Sequence, residues 1–253
     1  MLTFVLHKMH DDGRWKLRDL FKVFLFYFLM MMGIPVLLQI VKKLFGLDIS
    51  EFIRQNVTLL SISLVVNILT CLYVFYTVRV GYNQPLRVLG LTADNWKSDA
   101  WKGLKHYIVV LPVILFAGYV VNYVSELFGV PPDNQEIITK FLEEESIPVL
   151  VFMVLFGTLA APIVEEILFR GFLQPVIRPA LGKTGTIIVS GGIFALVHLN
   201  AHVFLQIFIL GLLLAYLFEQ TKSLIAPITV HLLHNSITLV FLLSYKQFLK
   251  GHV

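Results

Sequence analysis

Seven long apolar runs, near residues 23–41, 57–78, 106–124, 148–177, 186–199, 203–218 and 224–244, occupy most of the 253-residue chain. A run of about 20 apolar residues can cross the hydrocarbon core as a helix, where every backbone N–H and C=O must be satisfied within the segment. The chain therefore reads as all-α, a polytopic membrane helix bundle of about seven (six to eight) transmembrane helices. Composition agrees: 57% of the residues are hydrophobic and 14% charged, whereas soluble domains carry about a quarter charged residues. One membrane domain over 1–253, with no soluble domain, is expected.

The 20 Lys and Arg residues are scattered through the connections and form no dense patch, so the formal charge of +4 suggests no nucleic-acid partner. With a cytoplasmic N-terminus, fourteen of them fall in inner sections and six in outer ones. The positive-inside bias then places the N-terminus in and the C-terminus out. The run at 23–41 is long for a signal peptide and lacks a small-residue cleavage site, so it reads as a retained first span. Cys71 is the only cysteine, which leaves no internal disulfide and no cysteine nucleophile with an apparent partner. Two connections are more than turns. Residues 82–107, "YNQPLRVLGLTADNWKSDAWKGLKHY", are basic, aromatic and amphipathic, as expected of a segment lying at the inner interface with Trp96 and Trp101. Residues 125–146, "SELFGVPPDNQEIITKFLEEES", begin with a Pro-Pro turn before a helical pattern; Glu143, Glu144 and Glu145 read as a solvated helix end.

Polar residues inside the last four runs carry the functional signal. The stretch "APIVEEILFRGF" places Glu165, Glu166 and Arg170 within apolar sequence. A carboxylate at the bilayer centre costs at least ~2.5 kcal/mol, so such residues face a partner or a cavity. Residues four apart share a helix face, whereas neighbours differ by about 100°. Glu166 therefore pairs with Arg170, and Glu165 must find partners on other helices. His198 ends "FALVH", and "HLLHN" carries His231 and Asn235 on one face, with His234 beside them. Ser190, Gly191, Gly192 and Ala195 give the helix before His198 a small-residue surface for close packing. At ~1.5 Å per residue, Glu165, His198 and Asn235 reach similar depths only if the helix of Glu165 runs past Arg170 to about Ile177, despite Pro175.

This set suits amide hydrolysis. A carboxylate in an apolar cavity can act as general base, and a water between Glu165 and His198 could be aimed at a carbonyl. His231 and Asn235 can donate to the developing oxyanion. Glu166 and Arg170 would support the site. No cofactor is expected; the alternative is zinc held by Glu165, His198 and His231, with His234 a further candidate ligand, although no H-E-x-x-H helix supports it. His202, His106 and His7 read as interface or loop residues.

The three patterns "EEILFR", "FALVH" and "HLLHN" resemble the motifs E-E-x-x-x-R, F-x-x-x-H and H-x-x-x-N of the CPBP intramembrane proteases. That family includes the type II CAAX prenyl endopeptidases and bacteriocin-processing and immunity proteins. Order and spacing fit, as do "FRGFLQ" and "LGLLLAYLFEQTKSLIAPITVH"; "LRVLGLT" is a weaker echo. The resemblance implies a catalytic core over 148–244 preceded by variable N-terminal helices in 1–147. It further implies a CPBP-type, glutamate-dependent endopeptidase in which Glu165 and His198 activate water, His231 and Asn235 stabilise the oxyanion, and His234 has no catalytic role. The implied partners are the lipid bilayer and a membrane-embedded or lipidated peptide substrate, and the implied location is a bacterial plasma membrane. Two other classes use the same residues. A non-catalytic bacteriocin immunity or scaffold protein would not need Glu165, and a proton-coupled transporter would show inverted repeats, which the sequence lacks.

Overall fold

The computed structural model describes residues 15–46, 56–130 and 136–250. Among them there is no strand, and six helical stretches are long and apolar enough to cross a membrane. The bundle comprises α1 (Leu17–Phe45), α2 (Asn56–Tyr76), α3 (Trp96–Leu127), α4 (Glu136–Glu143), α5 (Ile147–Leu155), α6 (Ala161–Glu166), α7 (Gln174–Leu196), α8 (Phe204–Thr221) and α9 (Ile225–Lys250). The sequence runs at 148–177 and 186–199 are two helices that follow one another without an intervening loop and meet at a kink. Residues Ile147–Leu196 form one 50-residue helical stretch whose direction breaks at Gly182, with φ 66°. Only glycine adopts that backbone freely.

Within this stretch, α5, α6 and α7 are joined by two π-turns, Phe156–Ala160 and Ile167–Leu173. Each precedes a proline, Pro162 or Pro175. Proline lacks an N–H and its ring collides with the carbonyl four residues back, and a wide turn absorbs both defects without ending the helix. The helix therefore continues past Arg170, as required to bring Glu165 to its partners.

Helix α3 starts at Trp96, ten residues before the expected boundary. At about 1.5 Å per residue its 32 residues extend roughly 48 Å. Half of the connection expected to lie along the interface is thus the first part of a span, because nothing between Trp96 and His106 breaks a helix. Trp96 and Trp101 are still exposed, with the Lys97 and Lys105 ammonium groups 5.5 and 5.8 Å from their ring centres. The "LRVLGLT" stretch forms a 3-10 turn, Leu86–Leu89, which docks under the π-turn of Arg170. A Cβ on Gly171 would lie 2.8 Å from the Leu89 carbonyl oxygen. The Leu224 N–H donates to the Gly90 carbonyl at 2.9 Å, which joins this turn to the start of α9.

Helices α7 and α8 pack at their glycines, as the small-residue surface suggested. A Cβ on Gly191 would meet the Leu212 nitrogen at 3.0 Å, whereas one on Gly192 finds nothing nearer than the Phe208 ring at 3.8 Å. Gly191→Ala is therefore expected to destabilise the protein by about 1–3 kcal/mol, and Gly192→Ala to be neutral. Thermal melts of the two variants in one detergent check this. Nearer the α8–α9 turn, Glu219 accepts from Gln174, Arg178 and Lys222, which ties the start of α7 to the end of α8.

At the opposite end, α4 is held by Lys246 of α9. Its ammonium donates to the Phe141 carbonyl at 2.9 Å and also to the Glu144 carbonyl. Glu144 is more than a solvated helix end. It accepts from the Asn56 amide at 2.7 Å and the Ser146 N–H at 2.9 Å, and these donors hold its carboxyl below the ordinary range. Together they tie α2, α4 and α5.

Candidate active site

Adjacent glutamates at the end of α6 have opposite environments. Glu166 is fully buried, as is Arg170, and the two pair across one helical turn, Nη1 to Oε1, at 3.0 Å. Arg170 also donates from Nη2 to the Gly211 carbonyl of α8 at 3.2 Å. Its guanidinium carbon lies 4.4 Å from the centre of the Phe194 ring of α7, a desolvated cation-π contact. Glu165 points about 100° away and keeps 28% of its side chain exposed.

His231 of α9 joins the two carboxylates. Its Nδ1 lies 2.8 Å from Glu166 Oε1 and its Nε2 lies 3.7 Å from Glu165 Oε2. A carboxylate only accepts, so Nδ1 carries a proton toward Glu166. The Glu166 oxygen thus receives both Arg170 and His231, which makes it an anchor for α9 as well as a counter-ion.

Asn235, one turn further along α9, donates from Nδ2 to the Gly157 carbonyl at 2.8 Å. The first π-turn explains why that carbonyl needs a donor. The Ala161 N–H, four residues on, bonds instead to the Phe156 carbonyl, and the residue five on, Pro162, has no N–H. Asn235 satisfies an oxygen that the helix cannot, with one of the two N–H groups of its amide.

His198 stands just past the end of α7. Its Nδ1 donates to the Phe194 carbonyl at 2.7 Å, so in the neutral ring Nε2 carries the lone pair. Among the described residues His198 and Glu165 share no direct hydrogen bond. They are related through the Phe194 ring, which meets His198 at 4.9 Å and His231 at 5.6 Å between centroids. Phe194 is therefore the packing hub for Arg170 and both histidines, a role its place in "FALVH" could have signalled, since it lies four residues before His198. Helix α1 also packs near the site, where Phe24 meets Phe169 edge-on at 5.6 Å.

The other histidines lie elsewhere. His234 bonds to Tyr107, His202 to Ser125 and His106 to the Lys102 carbonyl, and His7 lies outside the described residues. Among the described residues, no group of three His, Cys, Asp or Glu side chains could hold a metal ion. The zinc alternative of Glu165, His198 and His231 is not such a group as arranged, although both histidines donate from Nδ1 and so keep Nε2 as the atom that could meet a metal.

The class this arrangement defines is a polytopic membrane helix bundle with a charged, hydrogen-bonded site at the meeting of α6, α7 and α9. Residues 147–237 match the family described as type II CAAX prenyl endopeptidase Rce1-like, in agreement with the resemblance carried by the three motifs. Over 128 residues the chain is 26% identical to the protein named "Putative membrane peptidase YdiL" of Bacillus subtilis (strain 168), covering 51% of this chain and 50% of that one. Over 149 residues it is 27% identical to the membrane-embedded CAAX protease MroQ of Staphylococcus aureus (strain USA300), covering 54% and 57% respectively. The chain thus matches over about half the length of these curated relatives. No solved structure matches it.

Proposed function

We propose that the chain is an intramembrane endopeptidase that hydrolyses a peptide bond of a membrane-embedded or lipidated peptide by a glutamate-activated water, without a metal. The observation that carries this reading is the split between the neighbouring carboxylates. Glu166 is sealed into an ion pair, while Glu165 stays partly exposed beside His231. In this mechanism a water lies between Glu165 and Nε2 of His198. Glu165 takes its proton as the hydroxide oxygen bonds to the carbonyl carbon. The oxyanion accepts from the second N–H of Asn235 and from Nε2 of His231 when that nitrogen is protonated. The proton held by Glu165 then passes to the departing nitrogen as the C–N bond breaks. Glu166 and Arg170 orient His231. We place the catalytic core at 148–244, the N-terminal helices at 1–147, and the N-terminus on the cytoplasmic side.

Comparative proteomics tests the reaction. Membranes lacking this protein, complemented with wild type or Glu165→Ala, should differ in the length of at least one peptide or membrane protein. Identical peptide lengths would support an immunity or scaffold role on the same fold. Metal analysis tests the other half of the proposal: less than stoichiometric zinc is expected, unchanged in His198→Ala. One equivalent of zinc that disappears in that variant would overturn the metal-free mechanism.

A further inference from the structure

Helix α9 presents two adjacent ladders of residues four apart. On the ladder that begins at Pro227, His231 faces the glutamates and Asn235 the first π-turn. Ala226, Val230 and His234 lie about 100° around the helix and face α3. The second ladder meets α3 at two points one turn apart. A Cβ on Gly103 would lie 2.7 Å from the Ala226 carbonyl oxygen and 3.2 Å from Val230 Cγ2, so the helices touch backbone to backbone there. One turn on, the Tyr107 hydroxyl lies 3.0 Å from His234 Nδ1, with the two rings edge to face at 6.0 Å. Tyr107 is 1% exposed, so its hydroxyl depends on that partner.

Two contacts on one stripe define both the height and the rotation of a helix against its neighbour. The Gly103 contact alone permits α9 to roll about the touching point. The Tyr107–His234 hydrogen bond removes that freedom, because rolling α9 would leave a buried phenol and an imidazole unpaired. Rotation of α9 is what aims His231 at Glu166 and Asn235 at Gly157. We infer that Tyr107 and His234 are a positioning pair, a clamp between α3 and α9 that sets the orientation of the proposed oxyanion donors. The inference rests on the hydrolytic reading of the site for its functional consequence, though not for its geometry. It assigns His234, which lies outside the three motifs, a role that acts through His231 and Asn235 without contacting the reacting atoms.

The test separates geometry from activity. Full-length protein labelled with nitrogen-15 histidine and reconstituted in lipid nanodiscs reports the hydrogen bonding of each ring nitrogen by NMR. Tyr107→Phe should shift the resonances of His234 and also those of His231. Ser125→Ala, which removes the partner of His202, should shift His202 alone. In the complementation assay Tyr107→Phe should lower product formation about tenfold, the effect of one orphaned buried partner. The double variant Tyr107→Phe/His234→Leu, which also lacks the hydrogen bond, should leave the His231 resonances displaced and product formation no better than in the single variant. If Tyr107→Phe leaves His231 unshifted, or the double variant restores the wild-type His231 resonances without the hydrogen bond, the clamp is wrong. If the wild type itself yields no product, the hydrolytic reading fails while the NMR result still decides the clamp.

Discussion

Glu165→Gln is expected to lower processing by about 10²- to 10⁴-fold, the range for loss of a general base, with no change in the melting midpoint. The amide keeps the shape of the side chain but cannot take a proton from water. Stability should hold because Glu165 is partly exposed and its close polar contact is to His231 at 3.7 Å, too long for a hydrogen bond that supports the fold. Product lengths in complemented membranes and a thermal melt of the purified variant check the two halves separately. Retained processing in Glu165→Gln would remove this residue from the reaction.

The second large effect concerns the neighbouring carboxylate, Glu166, through its partner Arg170, and has the opposite signature. Arg170→Met leaves Glu166 buried without its cation, a change that destabilises by about 3–5 kcal/mol. With ~2–4 °C of midpoint per kcal/mol for a chain of this size, the melt should fall by roughly 10 °C. Glu166→Gln/Arg170→Met should regain part of that loss, because the uncompensated charge is gone. An Arg170→Met protein that melts with the wild type would show that Glu166 does not depend on this partner. Activity loss with intact stability at Glu165, beside stability loss at Arg170, would separate the two neighbouring carboxylates by experiment.

Much of this division was legible in the sequence. The i, i+4 spacing of Glu166 and Arg170, and of His231 and Asn235, specifies a shared helix face wherever the segment is helical. The apolar runs left little alternative to helix. Boundaries were less legible. Propensity does not distinguish the interfacial start of α3 from its membrane-crossing part, so the expected boundary fell at 106 where the helix begins at Trp96. The break at Gly182, by contrast, falls in the gap between the expected runs at 148–177 and 186–199.

Local rules along one helix therefore determined the class of the protein, the pairing of Glu166 with Arg170 and the isolation of Glu165 from its own turn. Contacts between helices required the tertiary structure. It placed His231 between both carboxylates, made Phe194 the hub of the site, and supplied the Gly157 carbonyl, released by a π-turn ahead of Pro162, as the acceptor for Asn235. It also turned His234 away from the glutamates toward Tyr107. The physical reason is that helical spacing relates residues on one rod, whereas the rotation of one rod against another follows from close contacts such as Gly103 on Ala226, between residues more than a hundred positions apart.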